Sequence, residues 1–262
     1  MRLTLAVLLT AAFLSSAMIG AQSLARRTGQ SGWVDTIWSF ATGTAAIGLT
    51  FGAAPVTEPA RLWLVVCLVG LWSLRLGLHI AARTHGAGDD PRYAALRAEW
   101  GVDADRRMAR FLQAQALAAL PLAGAWALAA HRPGAFADAA DGLGLLVALT
   151  GLAGVWLADR QLADFRRART GAVCDTGLWR FSRHPNYLFE CVFWCGPALI
   201  AFAPLAYPAG LMAIAAPMLM YALLVHVSGI PPLERHMLAS RGAAYAAYQA
   251  RVPAFFPFSR PG

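Results

Sequence analysis

The sequence predicts an all-α, polytopic integral membrane protein of about seven transmembrane helices. Three observations predict it. Of 262 residues, 58% are hydrophobic and only 14% are charged, against about half and about a quarter in an ordinary soluble domain. The mean hydropathy is +0.50. The apolar residues also gather in blocks of about 20, the length that crosses a bilayer of about 30 Å at 1.5 Å per residue. These features exclude a disordered chain and a water-soluble enzyme.

The apolar blocks run over 3–22, 33–52, 62–82, 110–130, 142–158, 187–205 and 208–228. The first follows Arg2 and ends in small residues near Ala17 and Gly20, as a secretory leader would. Its apolar stretch exceeds the usual leader core, so a retained helix is expected. The second carries Gly48 and Gly52, a spacing that suits close helix packing. Trp33, Trp63, Trp126 and Trp156 lie near block ends, where indole rings favour the membrane interface. Cys191 and Cys195 stand one helical turn apart, an arrangement unsuited to a disulfide, and with Cys67 and Cys174 they read as packing residues. No repeat of 20–50 residues is visible, which disfavours solenoids and repeat-built transporters.

All 22 basic residues are arginine, and against 14 acidic ones they leave a net charge of +8. Eighteen arginines fall on the side holding segments 23–32, 83–110, 159–186 and the tail from 229. Arg2, Arg61 and Arg132 are on the other side, and Arg75 is inside a block. The positive-inside rule then puts the C-terminus in the cytoplasm and the N-terminus outside. Arginines interleaved with membrane blocks, rather than gathered in a solvated tail, argue against nucleic acid as a partner.

Four ionisable residues fall within or at the edge of apolar blocks: Asp35, Arg75, His79 and Glu190. Such groups are costly in lipid and mark function by default. All four lie within about 10 Å of the inner boundary at helical rise. That shared level suits a cytosol-facing polar pocket. The bland alternative is that Asp35 pairs with Arg75 for assembly while His79 and Glu190 reach to the interface.

The loop before the sixth block is the densest polar stretch. Arg160, Arg166, Arg167, Arg169, Arg180 and Arg183 fall within 24 residues of one another. Arg183-His184-Pro185 then opens a helix whose first turns carry Asn186, Tyr187 and Glu190. Arginines beside a helix N-terminus suit phosphate, and an asparagine amide can read another amide or a base edge. The positive-inside rule alone would require arginines here, though not this arrangement. No GxGxxG after a strand, GxxxxGK[ST], HExxH or nucleophile elbow is present. Any nucleotide would need a site built by membrane helices, and spacing does not name that ligand.

The run from Asp175 to Glu190, DTGLWRFSRHPNYLFE, resembles the signature of the steroid 5α-reductase C-terminal-domain family, and more closely its bacterial membrane branch. Further stretches agree in order: Trp33–Trp38, Arg75–His79, Gly88–Tyr93, Asp159–Leu162, Ser228–Glu234 and Tyr245–Pro257. The resemblance implies an NADPH-dependent reductase that saturates the conjugated C=C of an apolar enone, such as a 3-oxo-Δ4 steroid. It implies one membrane domain, with helices 1–82 on the substrate side and 110–262 as a core whose cytosolic loops cap the cofactor. Asn186 and Glu190 match residues at the nicotinamide end. Asp159 and Arg166 match residues at the adenosine-phosphate end, and Glu234, Arg235, Tyr245 and Tyr248 would close over the cofactor. Arg169, Arg180, Arg183, His184 and Tyr187 complete the expected cofactor set, and no metal is implied.

One departure stands out. The family grips the 3-keto oxygen with a glutamate and a tyrosine, whereas Arg75-Leu-Gly-Leu-His79 supplies no tyrosine and the acid would be Asp35. Arg75 or His79 would then stabilise the enolate oxygen, with Asp35 setting the protonation of His79. The substrate would enter from the bilayer, and no protein partner is evident. The rival enzyme is an S-adenosylmethionine-dependent methyltransferase of the isoprenylcysteine carboxyl type, which shares the Arg-His-Pro-x-Tyr turn. Asn186, Glu190 and the arginine-rich loop favour the phosphates of NADPH. A transporter or scaffold would use the buried charges as an ion path or an assembly pair.

Overall fold

Helix α1 (Arg2–Thr28) buries Thr10, Leu14, Met18, Ala21 and Ala25. They recur every three or four positions, one face of a 3.6-residue helix. Its remaining faces leave Leu5, Leu8, Leu9, Phe13 and Ile19 exposed, a surface fit for lipid rather than water. Gly29 ends it in the left-handed region at φ 69°, the conformation glycine adopts without penalty.

The computed structural model describes residues 1–55, 57–168, 171–203 and 205–258, and no strand occurs among them. After α1 come α2 (Gly32–Gly52), α3 (Pro59–Thr84), α4 (Pro91–Trp100), α5 (Ala104–Ala130), α6 (Ala139–Ala168) and α7 (Pro185–Ile200). The short helices α8 (Ala215–Tyr221), α9 (Ile230–Arg241) and α10 (Ala243–Gln249) follow, with a π-helical turn at Ala222–Val227.

Among the described residues, five stretches are long and apolar enough to cross a membrane: Arg2–Thr28, Pro59–Thr84, Pro91–Ala130, Ala139–Ala168 and Pro208–Arg241. Of the seven blocks expected, those of α2 and α7 are not among these five stretches. In α2 the apolar residues are diluted by Asp35, Ser39 and repeated glycine and threonine. Helix α7 is only 16 residues long, about 24 Å at helical rise and short of the hydrocarbon thickness.

The chain divides into two compact units. One comprises residues 1–144 and 197–216, the other 145–196 and 217–262. In the first, α2 packs against α1, α3 and α5. Small residues allow this: Ala41, Gly43, Ala45 and Ala46 of α2 are all buried. A Cβ on Gly43 would collide with the Ser73 side chain, and one on Gly77 would stand 2.5 Å from the Phe40 ring. The close packing expected of Gly48 and Gly52 is absent. Nothing lies within 4 Å of a Cβ at Gly48, and one at Gly52 meets only Ala6, at 3.4 Å. Both glycines instead line an apolar groove between α1 and α2, with Leu5, Leu9 and Phe13.

Charge counting places Arg61 and Arg132 only on the arginine-poor side, but the structure buries both. Arg61 grips Asp141 with Nε and Nη2 at 2.8 and 2.9 Å. It also donates to the carbonyls of Arg132, Gly134 and Ala135 at 2.6, 3.1 and 2.7 Å. Arg132 in turn pairs with Asp138 and Asp141 at 2.6 and 3.0 Å. Two cations and two anions thus join the start of α3 to the α5–α6 connection. Asp138, outside the membrane-crossing stretches, is held down to about 2 by its hydrogen bonds from Arg132.

In the second unit, α6 and α7 touch through glycine. A Cβ on Gly151 would overlap the Phe193 backbone, and one on Gly154 the Phe189 ring. The connection between them is pinned to α6, where Leu178 N donates to Gln161 Oε1 (2.8 Å) and the Trp179 indole to the Ala158 carbonyl (3.0 Å). Gly177 has φ +59°, a conformation that L side chains rarely adopt, and a Cβ there would displace the Gln161 amide.

Candidate functional site

Besides the Arg61–Asp141 network, each unit carries a polar cluster that holds expected site residues. In the first unit, Asp35 stands in the first turn of α2. Helix α4 starts where Asp90 caps it and Pro91 presets its backbone, which puts Arg92 and Tyr93 on the opening turn. Both reach Asp35. Arg92 Nη2 donates to Asp35 Oδ2 at 2.5 Å, and the Tyr93 hydroxyl donates to Asp35 Oδ1 at 2.7 Å. Arg92 also binds Asp90 through Nε at 3.0 Å and Nη2 at 2.8 Å. Burial works against an ionised Asp90, yet the hydrogen bonds and charge of Arg92, with Arg83, hold its carboxyl below the usual range. Gln115 on α5 donates to the Tyr93 hydroxyl at 3.5 Å, the outer limit of a hydrogen bond. Tyr93 is buried, while about a fifth of the side-chain surface of Asp35 and Arg92 stays accessible (21% and 23%).

This cluster corrects the expected pairing. The cation on Asp35 is Arg92, not Arg75, and its second oxygen accepts from Tyr93. Arg75 and His79 lie one turn apart on α3, half-buried and exposed respectively, on a face shared with exposed Leu71, Leu74 and Leu78. Tyr93 is the residue that sequence reasoning missed. Its motif, Asp-Asp-Pro-Arg-Tyr, was legible as a capped helix start. The contact with Asp35 was not, because 58 residues separate the two.

In the second unit, Arg183, His184 and Glu234 form the centre. Arg183 donates to Glu234 through Nε at 2.7 Å and Nη2 at 3.2 Å, and through Nη1 to the carbonyls of Gln249 (3.1 Å) and Val252 (2.6 Å). His184 Nε2 lies 2.9 Å from Glu234 Oε1. Tyr245 and Gln249 add donors to the same carboxylate at 3.3 and 2.8 Å. The Tyr248 hydroxyl donates to the Trp179 carbonyl at 2.5 Å. Burial pushes the phenols of Tyr245 and Tyr248 upward, so both remain protonated donors. Burial also pushes His184 below the ordinary imidazole value, against the opposing pull of Glu234. Tyr187 stacks on the His184 ring, 5.5 Å between centroids at 9°.

Four of the expected cofactor residues (Arg183, His184, Glu234 and Tyr245) therefore bind one another. They fasten the C-terminal segment to the turn that starts α7, and most donors of Arg183 are spent on that task. Asn186 and Glu190 are one turn apart on α7 and so share a face. Asn186 Nδ2 donates to Asp159 Oδ1 at 3.3 Å, and buried Glu190 accepts from the Trp194 indole at 3.2 Å. Arg166, Arg180 and Arg235 are exposed. Arg180 lies over the Phe181 ring at 4.9 Å. Arg169 lies outside the described residues. Among those described, no group of three or more His, Cys, Asp and Glu side chains is arranged to hold a metal.

Chemically, the first cluster offers a phenol donor oriented by a carboxylate. The second offers an amide, a carboxylate and exposed guanidinium groups near the start of α7. Neither a curated protein nor a solved structure matches the chain. The model of a family described as "protein of unknown function (DUF1295)" matches residues 22–252. That span takes in every residue of both clusters, and the chain belongs to the DUF1295 family.

Proposed function

We propose that the protein is an NADPH-dependent membrane reductase that delivers hydride to the conjugated C=C of an apolar enone, a 3-oxo-Δ4 steroid being the type of substrate. The observation that carries this reading is the hydrogen bond from Tyr93 to Asp35. It supplies the acid–tyrosine couple that Arg75–His79 lacks, with the tyrosine drawn from α4. The family's inclusion of steroid 5α-reductase-like membrane proteins supports the same reading.

The donor set of the second unit fits NADPH. Asn186 offers an amide for the nicotinamide carboxamide, with Asp159 orienting it. Arg166 and Arg180 are exposed guanidinium groups of the kind that takes phosphate. When bound, NADPH supplies the hydride. The chain supplies the rest. Hydride addition at the β-carbon places negative charge on the carbonyl oxygen, and the Tyr93 phenol stabilises it by turning its one proton from Asp35 to that oxygen. Arg92 stays paired with Asp35 and neutralises the carboxylate that the phenol leaves. The α-carbon then takes a proton from water, which completes the addition across the C=C. An apolar substrate enters from the bilayer, while the arginine-rich segments face the cytoplasm and the N-terminus lies outside, in accord with the positive-inside rule.

The test is purification in mild detergent, mass spectrometry of whatever the protein releases on denaturation, and titration of the emptied protein with NADPH and with S-adenosylmethionine. Tight NADPH binding, followed by loss of NADPH absorbance when a 3-oxo-Δ4 steroid is added, is the expected result. Binding of S-adenosylmethionine alone would move the chemistry to methyl transfer.

A further inference from the structure

The groove between α1 and α2 has a volume of about 370 Å³. Its shape follows from the sequence. Leu5, Leu9 and Phe13 recur at helical spacing along α1, and Thr44, Gly48 and Gly52 recur at every fourth position of α2. Large side chains thus raise one wall while small ones leave the other low. The Thr10 hydroxyl donates to the Ala6 carbonyl at 2.8 Å, so it is spent within α1 and the wall stays apolar. A Cβ at Gly52 would stand 3.4 Å from Ala6, which sets the end of α2 beside the start of α1.

Arg2 lines the outer end of this groove. Of the arginines on the arginine-poor side, Arg61 and Arg132 are buried and paired with Asp141 and Asp138. Arg2 is exposed, and among the described residues no acidic side chain pairs with it. From Arg2 to Phe13 the helix rises about 16 Å. That is the depth of one leaflet, half of a hydrocarbon core of about 30 Å. A second helix crossing the bilayer would need a face about twice as deep. An apolar trough one leaflet deep, with an unpaired guanidinium at its polar end, is complementary to an acyl chain that ends in a phosphate.

We propose that this groove binds an anionic phospholipid, its phosphate on Arg2 and one acyl chain laid over Gly48 and Gly52. Within a bilayer the chain gains close packing rather than escape from water. The missing side chain at Gly48 therefore decides how firmly it is held. The groove begins at Thr44, about 13 Å along α2 from Asp35. It is thus a lipid site apart from the Asp35–Tyr93 cluster, and it stands whether or not the protein is a reductase.

The test is native mass spectrometry of the full chain, stripped of lipid in detergent and titrated with phosphatidylglycerol or with phosphatidylcholine of the same chains. The wild type is expected to hold one phosphatidylglycerol per chain, at least about tenfold tighter than phosphatidylcholine, the smaller effect of one charge-assisted contact. In Arg2→Gln that ratio should fall to about twofold or less. In Gly48→Leu both lipids should weaken by about tenfold or more. Nothing lies within 4 Å of a Cβ there, so the larger side chain fills the groove and leaves the fold intact. Equal binding of the two lipids by the wild type would overturn the proposal, as would a ratio unchanged in Arg2→Gln. A wild-type dimer that Gly48→Leu dissociates would give the groove to a second copy instead. Should Gly48→Leu fail to fold, the wild-type and Arg2→Gln ratios decide.

Discussion

At the scale of single residues, Tyr93 and Asn186 serve different halves of the proposed reaction, so their loss should separate in the kinetics. Tyr93→Phe removes one donor to the developing oxyanion, a loss typically of about 10²–10³ in turnover. NADPH affinity should stay unchanged when titrated on the emptied protein. Asn186→Ala and Glu190→Ala should abolish turnover without unfolding, read as lost NADPH oxidation with an unaltered melting temperature. Arg166→Ala should mainly weaken NADPH binding. A charge-assisted phosphate contact contributes about 1.5–3 kcal/mol, which is roughly 10- to 150-fold in affinity. Equal use of NADH and NADPH by the wild type would remove the case for arginine recognition of the 2′-phosphate. Asp35 and Arg92 form an ion pair at 2.5 Å, so a double-mutant cycle between them should show coupling above about 0.5 kcal/mol. The cycle between Asp35 and Arg75 should be additive.

At the scale of elements, the turn before α7 is held by its burial and by Glu234. His184 has its pKa lowered by burial in the folded protein, whereas an unfolded chain titrates near the ordinary value of about 6.5. The unfolded state therefore binds more protons as pH falls below that value, and stability declines there. Melting in detergent should move to lower temperature from about pH 6.5 downward, and His184→Gln should flatten that slope. A slope unchanged in the variant would detach His184 from the acid response. Glu234→Ala should act more broadly, because it removes the acceptor of Arg183, Tyr245 and Gln249 together. Limited proteolysis should then cut the segment after α9 first. In α6, Gly151→Ala forces a Cβ into the Phe193 backbone. It should lower stability even though alanine is the better helix former.

At the scale of the whole molecule, apolar length and charge asymmetry account for membrane insertion, but the stability of the first unit leans on ions buried far along the chain from one another. Arg61 is fully buried and closes a contact 80 residues away at Asp141. Breaking one partner of such a network leaves a buried charge uncompensated, at about 3–5 kcal/mol. Arg61→Met should therefore lower the melting temperature sharply while NADPH binding, a property assigned to the second unit, persists. A loss of binding without a change in melting would contradict that assignment.

Much of this protein follows from its sequence alone. Hydropathy and length decide that it is a helical membrane protein, because no other secondary structure with edges can leave its backbone unpaired in lipid. Caps and prolines announce where α3 and α4 begin, since Glu58-Pro59 and Asp90-Pro91 satisfy their first amides locally. The segment from Asp175 to Glu190 stands out as polar and ordered for the same local reasons. Tertiary structure decided the rest. It chose Arg92 over Arg75 as the partner of Asp35, brought Tyr93 to that carboxylate, and turned Arg183, His184 and Glu234 on one another. It also made Gly43, rather than Gly48, a point of close approach between α2 and α3. Each of these is a contact between residues distant in the chain. Hydrophobic periodicity specifies which face of a helix is buried, but not which partner's charge or hydroxyl it will meet there.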